Sequence, residues 1–401
     1  MNFKKILSVI TPLSISTSTI GAGIIYYDNF GQEKLITNIS EINLQNIIVE
    51  PNLGQVNSGK NEIPTKAALL INIKEANPEA SLLTINDFDI VKEDKNNVTI
   101  KGKGNYIGEV NLYYTVTNFI NKKLTNEKIY ALAIDSRNNI FRTQEDKVYK
   151  LTATGIETLM DGLDSGKTAR NIIVDAEDNV YVGTDSGVVY KSDGKNRFVK
   201  ISLPDSTNWI WALTVNKKTG IVYAGNDDGV YSIDKNGNVN HMLGTHDYIN
   251  SLAVGEDASV YAGADNRGKI YKSYDGISEF KLIKQRDDAG SMKSLVIDST
   301  NNIFAGSDNG NVYKIDNGSM YAKMLETNHE IKRLVIDKEG SLFIGVDSNE
   351  VYKKVKNSSI FYKMIGIENG WEHILALTTD QGDNLYAAGT EGYLYISKNF
   401  N

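Results

Sequence analysis

The chain of 401 residues contains no cysteine, only five prolines and only three tryptophans. Without cysteine it can form no disulfide, no thiolate metal site, no cysteine nucleophile and no lipid-bearing cysteine of the lipoprotein type. Cysteine-free chains are ordinarily assigned to a reducing compartment, but the N-terminal segment contradicts that interpretation. We therefore expect an exported protein from an organism that does not use disulfides outside the cell.

An excess of basic residues is also missing, because the net charge is -7. A general nucleic-acid binder needs a basic face to displace the counterions of phosphate. The sequence therefore predicts no nucleic-acid partner.

Common motifs of catalysis and metal binding are absent. The histidines form no His-Glu-x-x-His pair or other spaced metal set. There is no Gly-x-Ser-x-Gly elbow and no Walker loop, and the turn at Asn226-Asp227-Asp228-Gly229 lacks the twelve-residue spacing of an EF-hand. The sequence predicts no metal, no cofactor and a non-enzymatic protein. The four histidines are His241, His246, His329 and His373.

The first residues have the layout of an export signal. Lys4 and Lys5 precede an uncharged run from Ile6 to Tyr27. Residues 1–28 are predicted to be a signal peptide or a signal anchor, and the two alternatives stay open because Gly21-Ala22-Gly23 offers small residues for cleavage. In both cases the rest of the chain lies outside the membrane, either anchored at the cell surface or secreted.

The pattern over residues 38–118 predicts a small α+β domain in which one helix packs on a sheet. A helix is expected over about 64–76, where Pro64 suits the first turn and Asn77-Pro78 ends it. Strands are expected over 44–49, 83–90, 98–102 and 108–116.

This segment resembles the lipoprotein-associated domain of mollicute surface proteins, including spiralin-like lipoproteins. The resemblance implies a cell-surface location and a display role, and it brings no catalytic residue. The chain departs from the family in lacking the acylated cysteine, which leaves its mode of membrane attachment open. The motifs that carry the resemblance are Ile47-Ile48-Val49, Asn52-Leu53-Gly54, Ala76-Asn77-Pro78, Val98-Thr99-Ile100, Asn105-Tyr106-Ile107-Gly108-Glu109-Val110 and Tyr114-Thr115-Val116.

The remainder of the chain repeats one sequence motif. In most copies a strand with an aromatic residue ends in glycine and is followed by a tight turn and a second strand with a central tyrosine. A period of about 40 residues with this much strand is typical of a β-propeller. Seven copies predict seven blades and a mainly β fold over residues 119–401. The copies begin at Ile140, Val180, Val222, Val260, Ile303, Leu342 and Leu385.

The last copy is incomplete, since only a few polar residues follow Leu394-Tyr395-Ile396. A spare apolar segment at 119–124 precedes the first inner strand. We predict that this segment completes the last blade and closes the ring, which removes exposed strand edges.

The repeats resemble the ligand-sensing propellers of two-component regulators, in which a Gly-x-Asp-x-Gly turn precedes Leu/Val-Tyr. They also resemble degenerate Asp-box propellers through Ser273-Tyr274-Asp275-Gly276 and Phe280. Sialidases carry such boxes, but they act through an arginine cluster with a Tyr–Glu pair. The arginines of this chain are scattered along the sequence, so the resemblance implies binding or sensing.

One set of residues is a candidate recognition surface. The three tryptophans lie in connections from an outer strand to the next inner strand, and alignment of the repeats on Asp135 places six residues at one equivalent position. Aromatic and basic residues at a channel mouth are typical of binding hot spots. The alternative is that the tryptophans plug the channel or pack under a loop. We call this set the collar: Tyr130, Arg170, Trp209, Trp211, Asn250, Lys293, Lys332 and Trp371.

These observations favour a surface-displayed, non-enzymatic binding module that acts in adhesion or sensing, with a protein or glycan bound at the collar. One alternative is a propeller hydrolase or lyase acting on polysaccharide, which needs a carboxylate pair or an Arg/Tyr/Glu set at the channel mouth. Another alternative is a scaffold that assists the assembly of envelope proteins.

Overall fold

The computed structural model describes residues 24–27, 33–36, 41–59, 61–204, 208–245, 247–265, 267–315, 321–367, 370 and 372–398. The predicted signal segment therefore lies outside the described residues except for 24–27, and so do Trp371 and His246. The chain divides into two compact units, one of Met1–Leu53 with Leu70–Tyr113 and one of Gly54–Leu69 with Tyr114–Asn401. The predicted domain boundary at residue 118 stays a prediction. Among the described helices, none is both long enough and apolar enough to span a bilayer.

The elements before the propeller are β1 (Ile24–Tyr27), β2 (Glu33–Ile36), β3 (Ile42–Asn43), α1 (Leu44–Ile47), β4 (Asn52–Asn57), α2 (Lys66–Ala76), a 3₁₀ turn (Pro78–Ala80), β5 (Phe88–Asp94), β6 (Asn97–Gly102), β7 (Tyr106–Ile107) and β8 (Glu109–Thr117). Four of these strands form one sheet in the order β4-β8-β6-β5, and β3 pairs with β7 in parallel.

Two of the strand predictions in this region are wrong. Residues 44–47 form α1 because the Asn43 side chain accepts a hydrogen bond from the Gln45 N–H at 3.0 Å and caps a helical turn. The strand expected from residue 83 begins only at Phe88. Before it, Asp87 accepts hydrogen bonds from the backbone and the hydroxyl of Thr84, both at 2.7 Å, which holds a turn.

Seven four-stranded antiparallel sheets follow, which confirms the mainly β fold with seven blades. In each blade the first strand is the innermost and the fourth is the outermost. Blade 1 is β10 (Leu132–Ile134), β11 (Ile140–Gln144), β12 (Lys147–Leu151) and β13 (Glu157–Met160). Blade 2 is β14 (Ala169–Val174), β15 (Val180–Thr184), β16 (Val188–Ser192) and β17 (Phe198–Ser202). Blade 3 is β18 (Ala212–Val215), β19 (Val222–Asn226), β20 (Gly229–Ile233) and β21 (Val239–Gly244). Blade 4 is β22 (Ile249–Val254), β23 (Val260–Ala264), β24 (Ile270–Ser273) and β25 (Lys281–Lys284). Blade 5 is β26 (Met292–Ile297), β27 (Ile303–Ser307), β28 (Asn311–Ile315) and β29 (Tyr321–Glu326). Blade 6 is β30 (Ile331–Ile336), β31 (Leu342–Val346), β32 (Val351–Lys354) and β33 (Phe361–Met364). Blade 7 is β34 (Ile374–Thr379), β35 (Leu385–Gly389), β36 (Tyr393–Ser397) and β9 (Ile120–Lys123).

The ring is closed by β9, which comes from the start of the propeller and forms the outer strand of its last blade. It pairs antiparallel with β36, in a register that sets Ile120 opposite Ile396 and Lys123 opposite Tyr393. The inner strands contact one another in succession from blade 1 to blade 7, and the inner strand of blade 7 contacts that of blade 1. No blade therefore keeps an open face.

Adjacent blades interlock at a glycine in the second strand of blades 2 to 6. The first residue of the next inner strand packs directly against it: a Cβ at Gly306 would lie 2.3 Å from Cγ2 of Ile331, and a Cβ at Gly345 would lie 2.8 Å from Cγ2 of Ile374. Ile331 and Ile374 are fully buried. The repeated glycine therefore exists because a side chain of the neighbouring blade occupies the space of its Cβ.

Candidate functional site

One end of the propeller unit collects the connections that carry the collar. In an antiparallel blade the inner strand begins at the end where the second strand stops and the third begins. In blade 2, for example, Ala169 at the start of β14 pairs with Thr184 at the end of β15. Collar residues and the hairpins between second and third strands therefore share one end, which we call the mouth.

The collar positions coincide with β-bulges in five blades. The pairing register shifts between Ala169 and Asn171, and the same shift occurs around the equivalent residue in four other inner strands. The extra residue of a bulge has no ladder partner, and its side chain is turned away from the sheet. Bulges commonly re-aim a side chain, and two of the five bulge residues, Arg170 and Leu375, line the cavity at the mouth. The bulge residues are Arg170, Asn250, Lys293, Lys332 and Leu375.

Blades 1 and 3 place their equivalent residues just before the inner strand. The Tyr130 N–H donates to the Thr143 carbonyl at 3.1 Å, and the Trp211 N–H donates to the Gly225 carbonyl at 2.9 Å. Both side chains therefore start from the same end of the molecule as Arg170.

Four collar residues meet in one cluster centred on Arg170. Its guanidinium carbon lies 5.2 Å from the ring centre of Tyr130 and 4.7 Å from that of Trp209. The rings of Trp209 and Trp211 are 4.8 Å apart. A guanidinium between two aromatic faces is held by cation–π attraction. The buried Nε of Arg170 has no hydrogen-bond partner among the described residues, so the cluster keeps an unused donor.

Carboxylates of the neighbouring hairpins tether the aromatic members. The Tyr130 hydroxyl donates to Oε1 of Glu145 at 3.0 Å, and the Trp211 indole N–H donates to Oδ1 of Asp227. Burial, with the adjacent Glu145 carboxylate, raises the pKa of Tyr130. Tyr130 therefore stays protonated at neutral pH and acts as a donor.

These hairpin carboxylates were missed by the sequence reasoning, although the repeats contain a signal for them. The first turn residue after each second strand is acidic in six blades, and Thr390 takes the position in blade 7. Alignment on the aromatic strand, instead of on Asp135, would have found them. The mouth thus alternates collar side chains with acidic ones and is not simply aromatic and basic. The six residues are Glu145, Asp185, Asp227, Asp265, Asp308 and Asp347.

A cavity of about 390 Å³ opens at the mouth, lined by residues of blades 1, 2, 6 and 7 and of the connections that lead into them. It brings Tyr130 and Arg170 together with side chains that the collar did not include. The lining residues are Lys128, Tyr130, Arg170, Asp347, His373, Leu375 and Thr390.

Asp347 links this cavity to a further collar residue. Its Oδ1 lies 3.0 Å from Nδ1 of His373, and its Oδ2 lies 3.4 Å from Nζ of Lys332. Lys332 also contacts Oε2 of Glu330 at 2.7 Å. His373 lies in the loop before β34, where it forms part of the cavity wall beside the Asp347 carboxylate.

The remaining collar residues lie apart from the Arg170 cluster. Asn250 occupies the bulge of blade 4, and its buried Nδ2 has no hydrogen-bond partner among the described residues. Lys293 occupies the bulge of blade 5 and acts electrostatically on Asp265, whose pKa is raised by burial. Trp371 lies outside the described residues.

No protein-family model matches the chain, and no curated protein matches its sequence. Solved structures do match the propeller. Virginiamycin B lyase from Staphylococcus aureus is similar with a TM-score of 0.63 at 10% identity, over 70% of this chain and 100% of that chain. A streptogramin B lyase structure matches with a TM-score of 0.63 at 11% identity, over 70% of this chain and 98% of that one.

A chain of the mitotic checkpoint complex matches equally well in shape, with a TM-score of 0.62 at 13% identity over 71% of this chain and 92% of that chain. Lyases and a checkpoint assembly thus share one architecture. At such low identity the similarity shows the seven-bladed propeller fold alone, because a fold hosts many functions.

The mouth contains cationic side chains, aromatic rings and carboxylates that are hydrogen-bonded or ion-paired to other side chains. Among the described residues no group of three or more His, Asp or Glu side chains is arranged to hold a metal ion. The arrangement is suited to recognising a ligand with polar or anionic groups next to a flat apolar surface.

Proposed function

We propose that the protein is a non-enzymatic binding module, which holds a segment of a protein or glycan at the mouth of its propeller. The observation that carries this proposal is the Arg170 cluster, in which a guanidinium stacked between Tyr130 and Trp209 borders an open cavity. Tryptophan, tyrosine and arginine contribute disproportionately to binding hot spots.

The size and exposure of the mouth support the same proposal. A volume of about 390 Å³ lies within the range of roughly 300–1,000 Å³ found for ligand pockets. Trp209 remains 39% exposed, so its ring face is open to a partner. The tethers of Tyr130 and Trp211 to hairpin carboxylates preorganise the aromatic surface, which reduces the entropy lost on binding.

We propose further that the module is displayed outside the cell, in adhesion or sensing. Residues 1–28 would export or anchor the chain, and residues 38–118 would hold the propeller out from the membrane. The resemblance of that segment to the mollicute lipoprotein-associated domain belongs to this proposal. Protease treatment of intact cells tests the location, since only a displayed propeller would be digested before lysis.

Photocrosslinking on intact cells tests the mouth. Benzoylphenylalanine replaces Trp209 in the tagged full-length chain, and Ile277 serves as the matched control. Ile277 is 72% exposed and lies in the turn between the third and outer strands of blade 4, at the opposite end. We expect an adduct from position 209 that is absent from position 277. The same adducts from both positions would contradict the proposal.

Arg170→Met should reduce the yield of that adduct about tenfold or more, the effect expected when a hot-spot residue is lost. Arg137→Met is the matched control, because Arg137 is exposed and lies in a turn at the opposite end of blade 1. Equal yields from both variants would remove Arg170 from the site. A complex that co-purifies without crosslinking would instead favour the envelope-assembly scaffold.

An enzymatic alternative is favoured by one specific arrangement. Tyr130, Arg170 and the pair of His373 with Asp347 line a single cavity, and Tyr130 donates to Glu145 behind it. Such acidic and basic groups are the components of a lyase or hydrolase site. This enzymatic alternative is tested by incubation with acidic polysaccharides and with quinupristin, which is present in a structure of the similar virginiamycin B lyase from Staphylococcus aureus. If the wild type turns over one of these compounds and His373→Ala does not, the protein is an enzyme and the binding-module proposal is wrong.

A further inference from the structure

A second cavity lies in the central channel, below the collar. It has a volume of about 150 Å³ and is lined by residues from the inner strands of blades 1, 2, 3, 6 and 7. Most of the lining residues have aliphatic side chains, but the surface that they present to the cavity is mainly polar. The lining residues are Ala131, Leu132, Asn171, Ile172, Ile173, Leu213, Arg333, Ala376 and Leu377.

Arg333 stands out from the residues at its own position in the other blades. The position follows the collar residue by one, and the other six blades carry small or amide side chains there. Arg333 therefore brings a full positive charge into the channel, where its equivalents are neutral. The equivalents are Ala131, Asn171, Ala212, Ser251, Ser294 and Ala376.

The charge of Arg333 is not balanced by a carboxylate in contact with it among the described residues. The guanidinium donates one hydrogen bond, from Nη1 to the Lys332 carbonyl at 3.0 Å. Glu330 acts on it from a distance, but the Glu330 carboxylate is in contact with Nζ of Lys332 at 2.7 Å. Arg333 is partly buried, and desolvation lowers the pKa of its guanidinium. A guanidinium nevertheless keeps its proton in proteins.

The channel wall supplies further hydrogen-bond donors. Each inner strand is an edge strand of its blade, so the edge facing the channel presents backbone groups outside the ladder. The Asn171 side chain in the wall is already engaged, because its Nδ2 donates to the Ile210 carbonyl at 2.8 Å. The wall lacks an acidic side chain among the described lining residues. A partly desolvated cation without an ion-pair partner in contact favours an accompanying counterion.

We propose that the central channel binds one small oxyanion on Arg333. The guanidinium fork matches the two oxygens of a phosphate, sulfate or carboxylate group, and edge N–H groups of the inner strands complete the shell. The cavity volume of about 150 Å³ is several times the roughly 30 Å³ that one water molecule occupies in the liquid. A small oxyanion therefore fits together with a few water molecules. This site is independent of the mouth and of the function proposed for it.

Equilibrium dialysis of the purified full-length chain with labelled inorganic phosphate, labelled sulfate and labelled acetate tests the site. We expect saturable binding of one ion per chain, and the three arms identify which oxyanion chemistry is preferred. Arg333→Met should weaken this binding at least tenfold, whereas Arg137→Met, at an exposed arginine outside the channel, should leave it unchanged.

Thermal unfolding at constant ionic strength provides a second measurement. The midpoint of the wild-type protein should rise with the concentration of the bound oxyanion, because a ligand of the native state stabilises it. Arg333→Met should lose that dependence. The absence of saturable binding in the wild type, or equal binding by Arg333→Met, would overturn the proposal. If Arg333→Met does not fold, the wild-type dialysis decides alone.

Discussion

At the scale of single residues, the turns between first and second strands show how side chains accommodate an unusual backbone. The fourth residue after the first strand adopts a positive φ in most blades, and asparagine or aspartate usually fills it, as in Asn138, Asp178, Asn301 and Asp383. These residues tolerate the left-handed region well. Blade 4 is an exception, because Ala258 takes that position with a φ of 67°.

Ala258→Gly should therefore stabilise the protein, by up to about 1 kcal/mol, since left-handed backbone costs alanine roughly 1–2 kcal/mol and glycine much less. Urea unfolding measures the change. Ala322→Gly is the control, because Ala322 lies in the regular strand β29 and should lose about 0.5–1 kcal/mol. A loss of the same size at both positions would show that residue 258 carries no strain.

A buried carboxyl group lies next to the mouth cavity. Glu372 is fully buried and accepts hydrogen bonds from the Glu391 N–H and the Tyr395 hydroxyl, each at 3.2 Å. Burial raises the pKa of Glu372. The unfolded chain ionises this group at a lower pH than the native protein does, so the native state binds more protons in that interval.

The stability contributed by Glu372 is therefore full below the unfolded pKa and falls as pH rises toward the raised native pKa. Glu372→Gln should match the wild type in acid and exceed it at neutral pH, because the amide cannot ionise. Urea unfolding across this pH range checks the difference between the two proteins. Parallel stability curves would show that Glu372 titrates alike in both states.

At the scale of elements, each strand of the repeat is shaped by its neighbour in the next blade. Gly306 in β27 has its Cβ position occupied by Ile331, and Ile331 directly precedes the bulge residue Lys332. One packing contact thus closes the interface between blades, and the next residue is turned toward the mouth. The packing between blades and the placement of the mouth side chains therefore depend on the same few residues.

Gly306→Ala should lower the free energy of unfolding by about 1–3 kcal/mol, the usual cost of overpacking a rigid interior. Ile331 is branched at Cβ and has little freedom to move aside. Gly370→Ala is the control, since its Cβ would meet nothing within 4 Å. Equal stability of the two variants would mean that the interface between blades 5 and 6 relaxes without cost.

At the scale of the whole propeller, stability depends on the pairing of β9 with β36, which joins the beginning of the ring to its end. A cross-link between these strands constrains almost the whole propeller. A cross-link inside one blade constrains a single hairpin. Because the chain contains no cysteine, two introduced cysteines have no competing partners.

The double variant Ile120→Cys with Ile396→Cys, oxidised, should be stabilised over its reduced form by roughly 5 kcal/mol in the loop-entropy account of disulfides. The control is Lys314→Cys with Ala322→Cys, an opposing pair of blade 5 that closes a short loop and should yield about 3 kcal/mol or less. Guanidinium unfolding of oxidised and reduced forms measures both. A larger effect in the control would contradict closure by β9.

The sequence by itself determined the repeat, the number of blades and the identity of the closing segment. It also determined that six of the collar residues occupy equivalent positions, and four of these positions, at Arg170, Asn250, Lys293 and Lys332, are β-bulges. These features are readable because they depend on local alternation and on a period that recurs along the chain. The short helix α1 was missed because a single side-chain cap at Asn43 overrode a strand-like pattern.

Only the tertiary structure decided which of those residues meet. Arg170 packs between Tyr130 and Trp209, which belong to the connections into blades 1 and 3, and Asp347 joins Lys332 to His373 across two blades. The position of Arg333 in a channel without an acidic partner among the described lining residues is likewise invisible in the sequence. Such contacts join residues tens of positions apart, and they depend on how the ring closes and how each bulge turns its side chain. Local patterns contain no information about either.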